Sequence, residues 1–349
     1  MEFGIYHEFP ALDGRPDADA FHNAFALTDA AEDWGLDVMW LAELHFDPAR
    51  SVLSAPLCVA SAIAARTTRM NIGIGVQVLP LCNPLRIAEE AATVDQISRG
   101  RLIFGVGRSG VAKTYESYNI AYAESRERFA EALDIIQAAW ANPSLSHTGP
   151  HFSFRDVAVT PRPYRPGGPP IRIAATSPDT FVTIGRQGKP IFLGIKHEDA
   201  RQLGPLIQAY REAWRSAGHP GAGAVYLRAP GYLAATHAAA RAEAEASLMH
   251  YYHDQAALAL DSARRPGVDG AEKRIAAAER LHAITYDDAL RGSVLIGTPD
   301  SVTQRISALR DDLGLDGVMI EMNCGGKVSH VQQLQALRLL CQEVMPGFR

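Results

Sequence analysis

The sequence predicts a single (β/α)8, or TIM, barrel of the α/β class, and three observations carry that expectation. Short apolar runs alternate with longer amphipathic stretches along all 349 residues, the pattern that buries a parallel sheet beneath helices. The alternation gives eight strand–helix units, which is the number that closes a barrel, whereas a doubly wound open sheet usually stops at about five to seven strands. Glycines stand where the helical segments stop, and prolines or hydroxyl residues stand where they begin.

Taken in order, the first strand covers Glu2 to Tyr6 and the first helix Ala18 to Trp34, stopped by Gly35. Val38 to Leu41 is the second strand, with a helix over Ala55 to Arg66. The third strand, Asn71 to Val76, precedes the helix Pro84 to Ser98, which Pro84 opens and Gly100 stops. Leu102 to Val106 with Ser125 to Ala141 is the fourth unit, and Ile171 to Ala174 with Asp179 to Gln187, ended by Gly188, the fifth. Pro190 to Leu193 with Asp199 to Ala217, ended by Gly218, is the sixth; Tyr226 to Leu233 with His237 to Asp254 is the seventh. Thr298-Pro299-Asp300-Ser301 puts a cap and early negative charge before the helix Asp300 to Leu313, which Gly314 stops. The eighth strand, Gly317 to Glu321, and a final helix over Val331 to Val344 end the chain. Two segments interrupt the rhythm. Ser146 to Pro170 reads as a hairpin and a proline-rich crossing, an insertion in one domain spanning residues 1–349. Asp254 to Arg291, rich in Ala, Arg, Asp and Glu around Pro266, Gly267 and Gly270, reads as an active-site lid that is helical, mobile, or ordered with ligand.

Composition narrows the function. With 34 Lys and Arg against 39 Asp and Glu, the formal charge is −5, and no basic block marks a nucleic-acid or anionic-membrane surface. A small-molecule ligand fits better. Cys58, Cys82, Cys324 and Cys341 lie far apart in sequence and match neither a metal pattern nor a disulfide framework, so they read as reduced thiols of a cytoplasmic protein. No stretch of 18 apolar residues is present and Met1 to Pro10 lacks a basic region followed by an apolar run, so neither export nor membrane spanning is expected. Metal binding is not expected, because His147 and His151 are separated by Gly149-Pro150 and cannot share a helix face.

In a barrel the chemistry lies in the loops after the strands. There the chain places His7 and Glu8, then Glu43 and His45, Gln77, Arg108 and Ser109, the hydroxyls Thr176, Ser177 and Thr180, and finally Glu321, Asn323 and Cys324. Glu43 and His45, two apart, can form a pair that orients a general base, and His7 is a further catalytic candidate. Gly105-Val106-Gly107-Arg108-Ser109-Gly110 matches the dinucleotide fingerprint, yet three strand–helix units precede it and no acidic residue ends the next strand. In a barrel those glycines let the backbone approach a ligand, and Arg108 offers a fork for a phosphate or a ring carbonyl. Thr176, Ser177 and Thr180, at a strand-to-helix junction, suit an anion or plain capping equally. Arg126, at the start of a helix, can reach the same anion.

Trp40-Leu41-Ala42-Glu43-Leu44-His45-Phe46, the Gly73 to Pro80 stretch and Asp95-Gln96-Ile97-Ser98-Arg99-Gly100-Arg101 resemble the bacterial luciferase-like flavin monooxygenases. The resemblance continues through Thr176-Ser177, Ile296-Gly297-Thr298-Pro299 and Val344-Met345-Pro346, nearly the whole chain. It implies a barrel that binds reduced FMN, or in some relatives the deazaflavin F420, at its carboxyl face. O2 then forms a flavin C4a-peroxide that oxygenates a small organic substrate by hydroxylation or Baeyer–Villiger insertion. By position, Arg108, Arg126, Thr176, Ser177 and Thr180 would hold the flavin phosphate, Gly75-Val76 falls where relatives carry a non-prolyl cis peptide beneath the ring, and Asp254 to Arg291 matches a mobile loop. Luciferase has two histidines after the glutamate; here the first is Leu44, and the reactive cysteine beside the flavin is Gly107, so a non-luminescent oxygenase is expected. The resemblance further implies a homodimer and, since no NAD module is evident, a separate NAD(P)H flavin reductase. The alternatives are F420-dependent hydride transfer on the same barrel and a non-catalytic flavin-binding protein.

Overall fold

The computed structural model describes residues 1–11, 14–195 and 199–349. Its first strands are β1 (Glu2–His7), β2 (Val38–Leu41), β3 (Asn71–Ile74), β4 (Gln77–Val78), β5 (Leu102–Gly107), β6 (Leu145–Thr148) and β7 (Ser153–Val157). They are followed by β8 (Ile171–Ala174), β9 (Ile191–Gly194), β10 (Val225–Leu233), β11 (Leu295–Gly297) and β12 (Gly317–Glu321). β1, β2, β3, β5, β8, β9, β10 and β12 pair side by side in parallel, and β12 returns to β1, closing the eight-stranded barrel that the alternation predicted. β4 extends the third strand position beside the end of β5, β11 adds to the end of β10, and β6 and β7 form the separate antiparallel hairpin.

The shell is built from α1 (Asp17–Asp33), α2 (Pro56–Arg66), α3 (Pro84–Ser98), α4 (Ala112–Ser117), α5 (Ser125–Ala141), α6 (Pro178–Arg186) and α7 (Gly204–Ser216). It is completed by α8 (His237–Ala263), α9 (Ala271–Ala283), α10 (Tyr286–Arg291), α11 (Pro299–Leu313) and α12 (His330–Leu339). The stop signals act as expected: Gly35, Gly100, Gly188, Gly218 and Gly314 all have positive φ, from 64° to 87°. Pro84 opens α3 behind an Asn83 cap, and Thr298 caps α11 through the Ser301 amide.

Strand alternation divides the core. Phe3, Ile5, Met39, Leu41, Ile72 and Ile74 point outward and pack beneath the helices, whereas Tyr6, Val38, Trp40, Ile103, Phe192 and Met319 fill the lumen. At the amino end of the barrel Arg172 reaches Glu2 with two bonds of 2.7 and 2.8 Å and stacks at 3.6 Å from the Tyr226 ring, sealing the lumen from below.

Four boundaries differ from expectation. The third strand stops at Ile74, because the Gly75–Val76 peptide is cis and turns the chain before β4. The segment before α7 is a short 3-10 turn, Ala200–Leu203, and the last helix widens into a π-turn over Leu340–Val344. The seventh helix continues past Asp254 to Ala263, and residues 254–291 take the helical form among the readings left open, joined by short turns at 264–270 and 284–285. The apolar side chains Tyr251, Tyr252 and Ala256 of α8, Ala278 and Leu281 of α9 and Tyr286 of α10 bury one another in a core separate from the barrel's, so α8, α9 and α10 form a helical flap.

Candidate active site

The carboxyl end of the barrel has two unlike halves. On the β3, β5 and β9 side the lumen-facing positions are Gly75, Gly107 and Gly194. A Cβ on Gly107 would lie 2.8 Å from Val76 Cγ2, and one on Gly194 would meet nothing within 4 Å, so this half is a flat, low floor with open space above it. The cis Gly75–Val76 peptide forms part of that floor.

On the β1, β10 and β12 side the mouth is charged. Arg50 clasps Glu8 through Nε (2.9 Å) and Nη2 (2.5 Å), and Arg228 holds Glu321 at 2.6 Å while stacking 3.7 Å from the Tyr6 ring. Burial pushes the Glu8 carboxyl up, but Arg50 overcomes it and holds it below the usual range; at Glu321 burial, reinforced by Glu8, wins and the pKa is raised. Two guanidiniums and two carboxylates make the wall neutral overall, with Tyr251 of α8 buried over it.

Glu43 and His45 come together as their spacing suggested. Glu43 Oε1 lies 2.8 Å from His45 Nε2, while Oε2 accepts from Gln77 Nε2 (2.6 Å) and the Val78 amide (2.9 Å). Burial outweighs these donors and raises the Glu43 pKa. His7 does not join them: it faces outward with Ile5, its Nδ1 accepts from the Phe9 amide at 3.0 Å, and burial lowers its pKa to about 4. His7 is a neutral packing imidazole of the shell. His147 and His151 face α5, bonded to Glu131 and Glu127.

A group of arginines adjoins the glycine floor. Arg108 follows β5, donates to Ser125 Oγ at 3.1 Å, and is pushed down in pKa by burial and then by the nearby Arg126 and Arg274. Arg274 donates to the Gly110 carbonyl (3.1 Å) and to the Tyr122 hydroxyl (2.9 Å). Among the described residues no carboxylate pairs with any of these three cations, whereas Arg50, Arg172 and Arg228 are each matched to a glutamate. Three guanidiniums without a counter-charge suit a phosphate. Because β5 and β8 are neighbours, the loop after β8 adjoins the same place. There Ser177 begins α6 without capping its amides, and its hydroxyl instead pairs with Thr180 at 2.6 Å beside the exposed Thr176.

Arg50, Arg228, Arg274 and Tyr118 also stand at the mouth without being marked by any motif in the sequence. Arg228 carried a legible signal, an arginine at an inward register of an apolar strand; Arg274, in a polar helix beyond any barrel strand, carried none.

A closed parallel barrel whose mouth carries a glycine floor, an arginine cluster that pairs with no carboxylate among the described residues, and an acid–imidazole pair defines a cofactor-dependent barrel enzyme. The luciferase-like monooxygenase family profile matches residues 1–317, and the chain belongs to that family of oxidoreductases. Limonene 1,2-monooxygenase of Rhodococcus erythropolis is 26% identical over 357 residues, covering 96% of this chain and 84% of that protein. The match to y4vJ of Sinorhizobium fredii, at 29% identity, covers 58% of this chain and 57% of that one, so the chain spans little more than half of some curated relatives. Among solved structures, monooxygenase RslO1 of Streptomyces bottropensis superposes with a TM-score of 0.84 over the whole of both chains at 23% identity. The oxygenating constituent of 3,6-diketocamphane monooxygenase of Pseudomonas putida, solved with FMN, gives 0.82 over 99% of this chain and 98% of that one at 19% identity. F420-dependent proteins also stand among the relatives.

Proposed function

We propose that the protein is an FMNH2-dependent monooxygenase that oxygenates a small organic substrate with O2, by hydroxylation or Baeyer–Villiger-type insertion, without light emission. The observation that carries the reading is the uncompensated Arg108–Arg126–Arg274 cluster beside the glycine floor, which fits a planar ring bearing a phosphate. Arg108, Arg126, Arg274, Thr176, Ser177 and Thr180 would hold the phosphate, and Gly75, Val76 and Gly107 would lie against the ring. When bound, reduced flavin supplies the electrons that activate O2. The chain's own residues do the rest. Glu43 and His45 hold a proton at the edge of the mouth, the neutral Arg50–Glu8–Arg228–Glu321 wall orients an uncharged polar substrate, and the α8–α10 flap, proposed as the mobile element, excludes water.

The absence of a cysteine at Gly107 and of a histidine at Leu44 supports a dark reaction. We further propose a cytoplasmic homodimer pairing through α2 and α3, where Cys58 and the 44%-exposed Ile97 face outward, supplied by a separate NAD(P)H flavin reductase. The test is incubation with FMN, NADH, a flavin reductase, 18O2 and a panel of cyclic ketones and terpenes. One labelled oxygen atom in a product supports the reading; turnover without label refutes it. F420-dependent hydride transfer is the second reading, favoured by the F420-dependent relatives and by a phosphate site that either cofactor can use.

A further inference from the structure

At the rim of the mouth three aromatic rings gather. His45 lies 5.8 Å from Phe46 and 5.3 Å from Tyr118, and Phe46 lies 5.3 Å from Tyr118, centroid to centroid. Phe46 is 49% exposed and Tyr118 42% exposed, and Phe46 has a left-handed φ of 57°, so neither ring is placed for burial. Packing also does not require the Tyr118 hydroxyl to aim at a nitrogen, yet it lies 3.3 Å from His45 Nδ1. His45 Nε2 is in turn 2.8 Å from Glu43 Oε1, and Glu43 Oε2 is filled by Gln77 and Val78, so among the described residues Oε1 serves His45.

We infer that Tyr118, His45 and Glu43 form a proton wire in which the Tyr118 hydroxyl delivers a proton from the buried Glu43 carboxyl to the barrel mouth. The inference rests on the mouth being the reaction site. An imidazole engaged at both nitrogens can carry its one hydrogen on either. In the loaded setting the Glu43 O–H donates to Nε2, Nδ1–H donates to the Tyr118 oxygen, and the Tyr118 O–H faces the mouth. In the discharged setting Nε2–H donates to the Glu43 carboxylate and the Tyr118 O–H donates to Nδ1. Passing from one to the other moves three protons one place each. Glu43's proton goes to Nε2, the Nδ1 proton to Tyr118, and Tyr118's proton to an acceptor in the mouth. One proton leaves Glu43, His45 is neutral at both ends, and no electron moves. Burial of Glu43, which raises its pKa, helps it hold the proton in the loaded setting. Tyr118 is the positioning and relay member, because it reaches Glu43 only through His45.

Two readouts test this on the full chain. In protein labelled with 15N-histidine, with the His45 signals assigned by loss in His45→Gln, the wild type is expected to switch tautomer with pH and Glu43→Gln to stop switching. Tyr118→Phe, which keeps the ring, is expected to move the Nδ1 resonance of the Nε2–H form to that of an unpartnered nitrogen. In the flavin-loaded protein Tyr118→Phe is expected to slow the proton-dependent step about 10- to 100-fold, with FMN affinity within about 3-fold, and to replace a curved proton inventory in H2O/D2O mixtures by a linear one. An unmoved Nδ1 resonance in Tyr118→Phe, or a wild-type inventory already linear, overturns the wire. If the wild type binds no flavin, the functional reading fails, while the nitrogen spectra still decide whether the wire exists.

Discussion

Replacing Arg108 with methionine separates an anion site from a structural strut. Arg108 is half-buried, donates one bond to Ser125 Oγ, and faces Arg126 and Arg274. In the free protein that charge is opposed by burial and by its neighbours, so a methionine of similar reach relieves repulsion, and the unfolding midpoint should stay level or rise. With a phosphate bound the balance reverses. One charge-assisted contact is worth about 1.5–3 kcal/mol, so FMN should bind about 10- to 150-fold more weakly. Riboflavin presents the same ring to the same glycine floor without a phosphate, and its affinity should change by less than about 3-fold on this account. Fluorescence-quenching titrations with FMN and riboflavin, at low and high salt, measure both, and the wild-type preference for FMN should shrink with salt. Equal losses for the two flavins, or a midpoint that falls by many degrees, would show that Arg108 braces the β5 loop and that no phosphate site exists there.

Arg274→Ala should loosen the flap by removing the bonds to Gly110 and Tyr122; faster amide exchange confined to residues 271–283 is the expected signature, and unchanged exchange would free α9 from the anion site. Gly105→Ala should fail to fold, since its Cβ would lie 1.9 Å from the Ile74 carbonyl oxygen, whereas the nearest atoms to a Gly107→Ala Cβ belong to the Val76 side chain, from 2.8 Å, which can shift, so that variant should fold but bind flavin more weakly; equal folding yields would contradict the contrast. His7 binds a proton near its ordinary 6.5 when unfolded and near 4 when folded, so stability is lost as pH falls between those values, by about 3 kcal/mol in all. His7→Gln should flatten that limb of the urea-midpoint profile without lowering activity at pH 8. Glu43 has the opposite sign: its folded pKa is raised, so it favours the fold in acid and that contribution is lost as pH rises through the folded value. Glu43→Gln should therefore raise stability at neutral pH, and a fall there would mean the carboxylate is held more favourably than its burial implies.

The barrel was legible because local chemistry and global fold agree. All eight barrel strands were placed from apolar runs bounded by turn residues, and five helix stops from glycines whose positive φ only a residue without Cβ adopts freely. Boundaries slipped where backbone geometry departs from a regular period, at the Gly75–Val76 turn and in the π-turn at Leu340. The site was most legible where neighbours in sequence are neighbours in space, as with Glu43 and His45 or Ser177 and Thr180. His7 misled because side-chain parity decides its face: one residue from Tyr6 of the lumen, it points into the shell. Arg274 and Tyr118 were invisible because their roles depend on how the flap and α4 lie across the barrel mouth, which no spacing encodes.

The most direct test of the account is anaerobic titration of the purified protein with FMNH2 and, separately, with reduced F420, followed by mixing with oxygenated buffer while near-ultraviolet absorbance and O2 are recorded. Saturable FMNH2 binding and O2 consumption that a substrate accelerates are expected. Tight binding of F420 alone, with no reaction toward O2, would contradict this and make the same barrel a hydride-transfer enzyme.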